Sequence, residues 1–90
     1  MSNMSLNQTS IQVELEFFAI LKDLLSHSFS VSFDQPISIK ELKHYLIKKF
    51  PQAEEVLIYS RFSTETTILN DEAIIDKNSK IYVLPPSSGG

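Results

Sequence analysis

Ninety residues, 42% apolar and 21% charged, fit one small domain with a single sheet-and-helix core and little room for a deep pocket of its own. With no cysteine the chain has no disulfide framework, thiolate metal site or cysteine nucleophile, which suits a reducing compartment. A net charge of −3, with Lys48-Lys49 the only adjacent basic pair, lacks the basic stripe that nucleic acid requires.

Residues 1–10, MSNMSLNQTS, are polar and aperiodic and read as a disordered leader. They lack both the charged-then-apolar order of a signal peptide and the Arg-rich pattern of a transit peptide, and no run approaches a membrane-spanning length. The expectation is a cytoplasmic protein that binds no membrane. From Ile11, IQVELEFF alternates Ile11, Val13, Leu15 and Phe17 with Gln12, Glu14 and Glu16, the period of a strand with one buried face. AILKDLL spaces Ile20, Leu21, Leu24 and Leu25 as a short helix of about two turns, and SFSVSF alternates again with Phe29, Val31 and Phe33 inward. Ser38 and Glu41 form an S-x-x-E capping box ahead of a helix carrying Ile39, Leu42, Leu46 and Phe50 on one face, and Pro51 ends it.

Beyond Pro51, VLIY reads as a short apolar strand, RFSTETTIL as one or two weaker strand pieces, and NDE and DKNSK as turns. Asn78 is the residue expected to take a left-handed backbone there. KIYVL is the last strand, with Ile81 and Val83 toward the core and Tyr82 and Leu84 on the opposite face; Pro85 and Pro86 end it. The order is α+β. Two early antiparallel strands, a helix across the sheet and a last strand beside the first describe a β-grasp roll over residues 11–84, a mixed sheet of about five strands with a central and a short helix.

His27 and His44 stand far apart with no carboxylate pattern and read as surface residues, so no metal site is expected. Glu14 and Glu16 read as solvated strand positions rather than a catalytic pair, and Lys40, Lys43, Lys48 and Lys49 as the wet face of a helix, with Lys48 and Lys49 at its negative end.

The chain's two glycines are its last two residues, Gly89 and Gly90, within VLPPSSGG. Residues 85–90 read as a flexible tail, expected to reach roughly 20 Å when extended. Its prolines stiffen the base, Ser87 and Ser88 are small, and glycines without Cβ enter narrow channels. The α-carboxylate at its tip is ionised at neutral pH and can attack the α-phosphate of ATP presented by a partner.

The FFA at the end of the first strand, the capped central helix and the Pro-Pro-x-x-Gly-Gly ending resemble the small subunit of molybdopterin synthase, within the ubiquitin-like sulfur carriers, over residues 11–90. KNSK, residues 77–80, stands where many members carry Asp-Gly-Asp-Glu. The resemblance implies that the Gly90 carboxylate is adenylated by an E1-like adenylyltransferase that uses ATP, and is then converted by a sulfurtransferase to a thiocarboxylate. Inserted into the molybdopterin synthase large subunit, in a heterotetramer, it would give its sulfur to cyclic pyranopterin monophosphate to form molybdopterin. Gly90 would be the carrier residue and Gly89 would give access; Phe18, Leu84, Pro85, Pro86, Ser87 and Ser88 would dock partners. The isolated chain would be a non-catalytic monomer with no bound cofactor, the catalytic side chains belonging to the large subunit. The alternatives are a thiamine-pathway sulfur carrier and a ubiquitin-like modifier or binding module.

Overall fold

The computed structural model describes residues 10–87, so the leader, apart from Ser10, and Ser88, Gly89 and Gly90 lie outside the described residues. Strand β1, Ile11–Phe17, buries Ile11, Val13, Leu15 and Phe17 as its alternation requires. A short helix α1, Ile20–Leu24, leads into β2, Ser28–Phe33, which returns antiparallel to β1 from Ile11 opposite Phe33 to Glu16 opposite Ser28. Of the apolar residues expected along α1 only Leu21 is fully buried.

Helix α2, Ile39–Lys49, follows the two-residue strand β3, Ile37–Ser38. Its capping box is complete: Ser38 Oγ accepts from Glu41 N at 3.0 Å, and the Ser38 amide donates to Glu41 Oε1 at 2.9 Å. Ile39, Leu42 and Leu46 are buried beneath the sheet, and Phe50 closes the helix, its ring edge-on to both Phe17 and Phe29.

The strand expected at VLIY is instead helical. A 3-10 turn over Pro51–Ala53 runs into α3, Glu54–Ile58, which buries Leu57. Pro51 fits the first turn of a helix, and Glu54 and Glu55 face its positive end. At the other end, Ser60 Oγ donates to Val56 O at 2.8 Å and Lys43 Nζ to Ile58 O at 3.3 Å. These local bonds outweigh the β preference of Val56 and Ile58.

The hairpin β4, Arg61–Ser63, and β5, Ile68–Leu69, is closed by Thr64 and Thr67, whose backbones bond at 2.8 Å, and by Thr64 Oγ1, which accepts from the Thr66 and Thr67 amides. Strand β6, Ile74–Ile75, pairs with β3 in a separate two-stranded ladder that sequence periodicity did not reveal. Strand β7, Ser79–Leu84, then enters the middle of the main sheet, parallel to β1 and antiparallel to β4, to give the order β2-β1-β7-β4-β5. Asn78 does not take the left-handed backbone expected of it. Its side chain accepts a hydrogen bond from the Gln12 amide at 2.8 Å, tying the entry of β7 to the start of β1. No helix among the described residues is long and apolar enough to cross a membrane.

The two sources of α2 stability differ in size. Replacing Ser38 by Ala is expected to cost about 1 kcal/mol. Replacing Leu42, fully buried, by Ala is expected to cost about 2–5 kcal/mol. Urea unfolding followed by circular dichroism measures both, and equal costs would contradict this assignment.

Candidate functional site

The site is built by the exit of β7. Ile81 and Val83 point into the core, so the period of two places Tyr82 and Leu84 on the outer face. The parallel register sets Glu16 beside Tyr82 and Phe17 beside Val83, and the antiparallel register sets Arg61 beside Leu84. Phe18, one residue past the buried Phe17, therefore emerges on the outer face, where its ring meets that of Tyr82 at 5.9 Å. It is 36% exposed, a large apolar side chain only partly covered.

Around this corner lies an open depression of about 390 Å³ lined by Phe18, Ala19, Ile20, Leu84, Pro85, Pro86 and Ser87. Of the residues singled out in the sequence, Phe18, Leu84, Pro85, Pro86 and Ser87 are thus brought together. Ser88, Gly89 and Gly90 lie outside the described residues. Ala19 and Ile20 were not anticipated here: Ile20 carries the spacing of a helix core residue, yet it is 47% exposed and turned to the depression.

Ala19 has φ 54° and ψ −131° and is the only non-glycine residue with positive φ among the described residues. It reverses the chain between β1 and α1: Phe18 O accepts from Leu21 N at 3.1 Å and Ala19 O from Lys22 N at 2.9 Å. A backbone so placed is sterically costly for any residue with a Cβ. Ala19 forms part of the depression's wall.

Among the described residues the lining supplies apolar surface, backbone and one hydroxyl, and no acid, base or metal ligand. Among the described residues no three His, Cys, Asp or Glu side chains are grouped to hold a metal ion. The charged groups lie further along the outer face. Lys80 Nζ stands 3.3 Å from Glu16 Oε1 and 5.6 Å from the Tyr82 ring centre. The Lys80 ammonium is held above its ordinary value, first by its hydrogen bond to Glu16 and then by the negative charges that Tyr82 and Glu16 carry when ionised. Glu16 is thus an ion-pair partner, whereas Glu14, His27 and His44 are exposed. The arrangement presents apolar surface beside residues 85–87.

No family model matches the chain, and no curated protein matches it. Solved structures do. SAMP1 from Haloferax volcanii superposes with a TM-score of 0.73 at 18% identity, over 88% of this chain and 99% of its own. A Pyrococcus furiosus protein described as molybdopterin converting factor, subunit 1, gives 0.74 at 12% identity, over 86% and 99%. The UBL domain of Plasmodium falciparum Dsk2 gives 0.59 at 15% identity, over 86% and 99%. The chain has the β-grasp fold of ubiquitin-like proteins.

Ala19→Gly is expected to relieve the positive-φ strain and to raise stability by about 0.5–1 kcal/mol, after the greater unfolded-state freedom of glycine is subtracted. Denaturant midpoints of the two proteins test this, and a lower midpoint for the glycine variant would show that the methyl contact outweighs the strain.

Proposed function

We propose that this chain is a ubiquitin-like carrier whose C-terminal glycine carries an activated acyl group, and that it serves as the sulfur carrier subunit of molybdopterin synthase. The observation that carries the proposal is the exit geometry: β7, fixed between β1 and β4, brings residues 85–87 out beside an apolar depression. An apolar surface beside the exit of β7 suits recognition by other proteins. The β-grasp fold and the Pro-Pro-x-x-Gly-Gly ending support the same reading.

In the proposed cycle the Gly90 carboxylate attacks the α-phosphate of ATP held by an E1-like adenylyltransferase, and pyrophosphate leaves. The outer sulfur of a persulfide held by a sulfurtransferase attacks the acyl carbon and AMP leaves; a thiol reductant then cleaves the S–S bond of the resulting acyl disulfide and releases the thiocarboxylate. In the large subunit the thiocarboxylate gives its sulfur to cyclic pyranopterin monophosphate, and water at the acyl carbon restores the carboxylate. Gly89, lacking a Cβ, lets the end enter a narrow channel, and Phe18, Leu84, Pro85, Pro86, Ser87 and Ser88 form the docking surface around it. All of this takes place in the cytoplasm, with ATP bound by the activating enzyme and no cofactor bound by the carrier. A second reading, conjugation of the same end to lysines of other proteins, is favoured by the resemblance in fold to SAMP1, a small archaeal modifier protein.

Intact-mass measurement after incubation with the host's activating enzyme, ATP and a sulfur source distinguishes these. A shift matching replacement of one oxygen by sulfur, present in the full chain and absent when Gly90 is deleted, is the expected result. No shift, with the enzyme shown active on another carrier, would overturn the sulfur-carrier reading, and an amide-linked adduct would favour conjugation.

A further inference from the structure

Strand β2 is an edge of the five-stranded sheet: it pairs with β1 on one side and with nothing on the other among the described residues. The direction of its free backbone groups follows from one bond. Phe17 N donates to His27 O at 2.9 Å, in the same register as the β1·β2 ladder. Antiparallel strands alternate hydrogen-bonded and non-bonded pairs, so Phe29, Val31 and Phe33 turn their amides and carbonyls toward β1. Ser28, Ser30 and Ser32 turn theirs outward. In keeping with this, Ser28 O accepts from Ser26 Oγ at 2.8 Å, while no side chain among the described residues bonds to the main chain of Ser30 or Ser32.

Proteins protect such edges with charges, prolines, bulges or short strands. Strand β2 has none of these: it is six residues long, carries no charge and no proline, and its register is unbroken from Glu16↔Ser28 to Ile11↔Phe33. The face it shares with the core is not fully covered either. Phe29, Val31 and Phe33 are half-buried at the margin between β2 and α2, with Phe50 against Phe29 at 5.1 Å and Tyr45 against Phe33 at 5.4 Å.

The two ends of this margin differ in charge. At the Phe29 end, Lys49 Nζ stands 5.9 Å from the ring, next to Lys48, and neither lysine has an acidic partner among the described residues, although the chain carries net charge −3. At the other end Asp34 follows Phe33 and is exposed.

We propose that β2 takes up an extended segment of a partner protein as a further strand, apolar along its length and acidic at the end that meets Lys48 and Lys49. The outward groups of Ser30 and Ser32 supply main-chain hydrogen bonds, and alternate side chains of the segment cover the margin beside Phe29, Val31 and Phe33. The two lysines fix its direction. This surface is on the opposite edge of β1 from the strand that carries the tail, so it is independent of the carrier chemistry proposed above.

The test uses the full chain, labelled with nitrogen-15, titrated with four synthetic peptides: Val-Thr-Val-Thr-Val with Asp-Asp at its N-terminus or at its C-terminus, and the same two with Lys-Lys. One Asp-Asp peptide is expected to bind, shifting the amides of Ser28, Ser30 and Ser32 and slowing their exchange with solvent. Ser30→Pro, which removes an outward amide without breaking a bond to β1, is expected to abolish binding. The variant K48E/K49E is expected to weaken it by roughly tenfold or more while the fold is kept. Equal binding of Lys-Lys peptides, no binding of either Asp-Asp peptide, or shifts confined to the outer face would overturn the proposal. Protection of these amides by self-association, growing with protein concentration and without peptide, would overturn it in favour of a second copy of the chain.

Discussion

The pairing of β7 with β1 is the constraint on which the rest of the molecule depends. It joins segments 66 positions apart, as the Gln12–Asn78 hydrogen bond measures, and the closing of so long a loop has an entropic cost that only many simultaneous contacts offset. Those contacts are the core itself: Val13, Leu15 and Phe17 from one strand and Ile81 and Val83 from the other, all at or below 1% exposure. Helix α2 covers both. Once the two strands are in register, the pleat leaves no freedom over which side chains face outward, so Phe18, Tyr82 and Leu84 reach one corner of the outer face as a consequence of burying their neighbours.

The same pairing decides where the chain can leave. A strand held on both sides must exit along its own direction, and Pro85, which cannot donate to the ladder, ends the pairing at Leu84. The wall of the depression is completed by Ala19, whose strained backbone turns the chain sharply enough to set Phe18 and Ile20 on either side of it. A regular, unstrained core thus holds one locally costly turn, and that turn lies beside the tail.

Much of this was legible in the sequence. The alternation of IQVELEFF and KIYVL gave the two central strands and the faces of their residues, because a half-buried strand leaves a period of two in any sequence. The capping box did the same for α2. What remained hidden was set by short-range bonds and not by periodicity. The segment VLIY is too short to display a helical period, and its state rests on Pro51 at one end and on Ser60 and Lys43 at the other. The β3·β6 ladder has two residues on each side, below the length at which alternation exists. Asn78 bonds through its side chain rather than adopting an unusual backbone, a choice that depends on Gln12 being brought opposite it by the fold. For the candidate site, the period of two sets Leu84 on the outer face and the resemblance names Phe18 with it, while Ala19 and Ile20 have no such signal because a backbone reversal leaves no signature when its residue is alanine.

The use of glycine ties these threads together. Average usage would give a chain of this length about six, and the turns of the described residues are made without any. The Thr64 hydroxyl closes the β4–β5 hairpin, Asn70 Oδ1 accepts from the Glu72 amide, Ser79 Oγ donates to Lys77 O, and the one position among the described residues that strongly favours glycine holds Ala19. Side-chain bonds of this kind narrow each turn to a single conformation, where glycine would leave it wide. A body whose corners are held by side-chain bonds keeps β7 in register between β1 and β4, and with it the apolar corner beside residues 85–87.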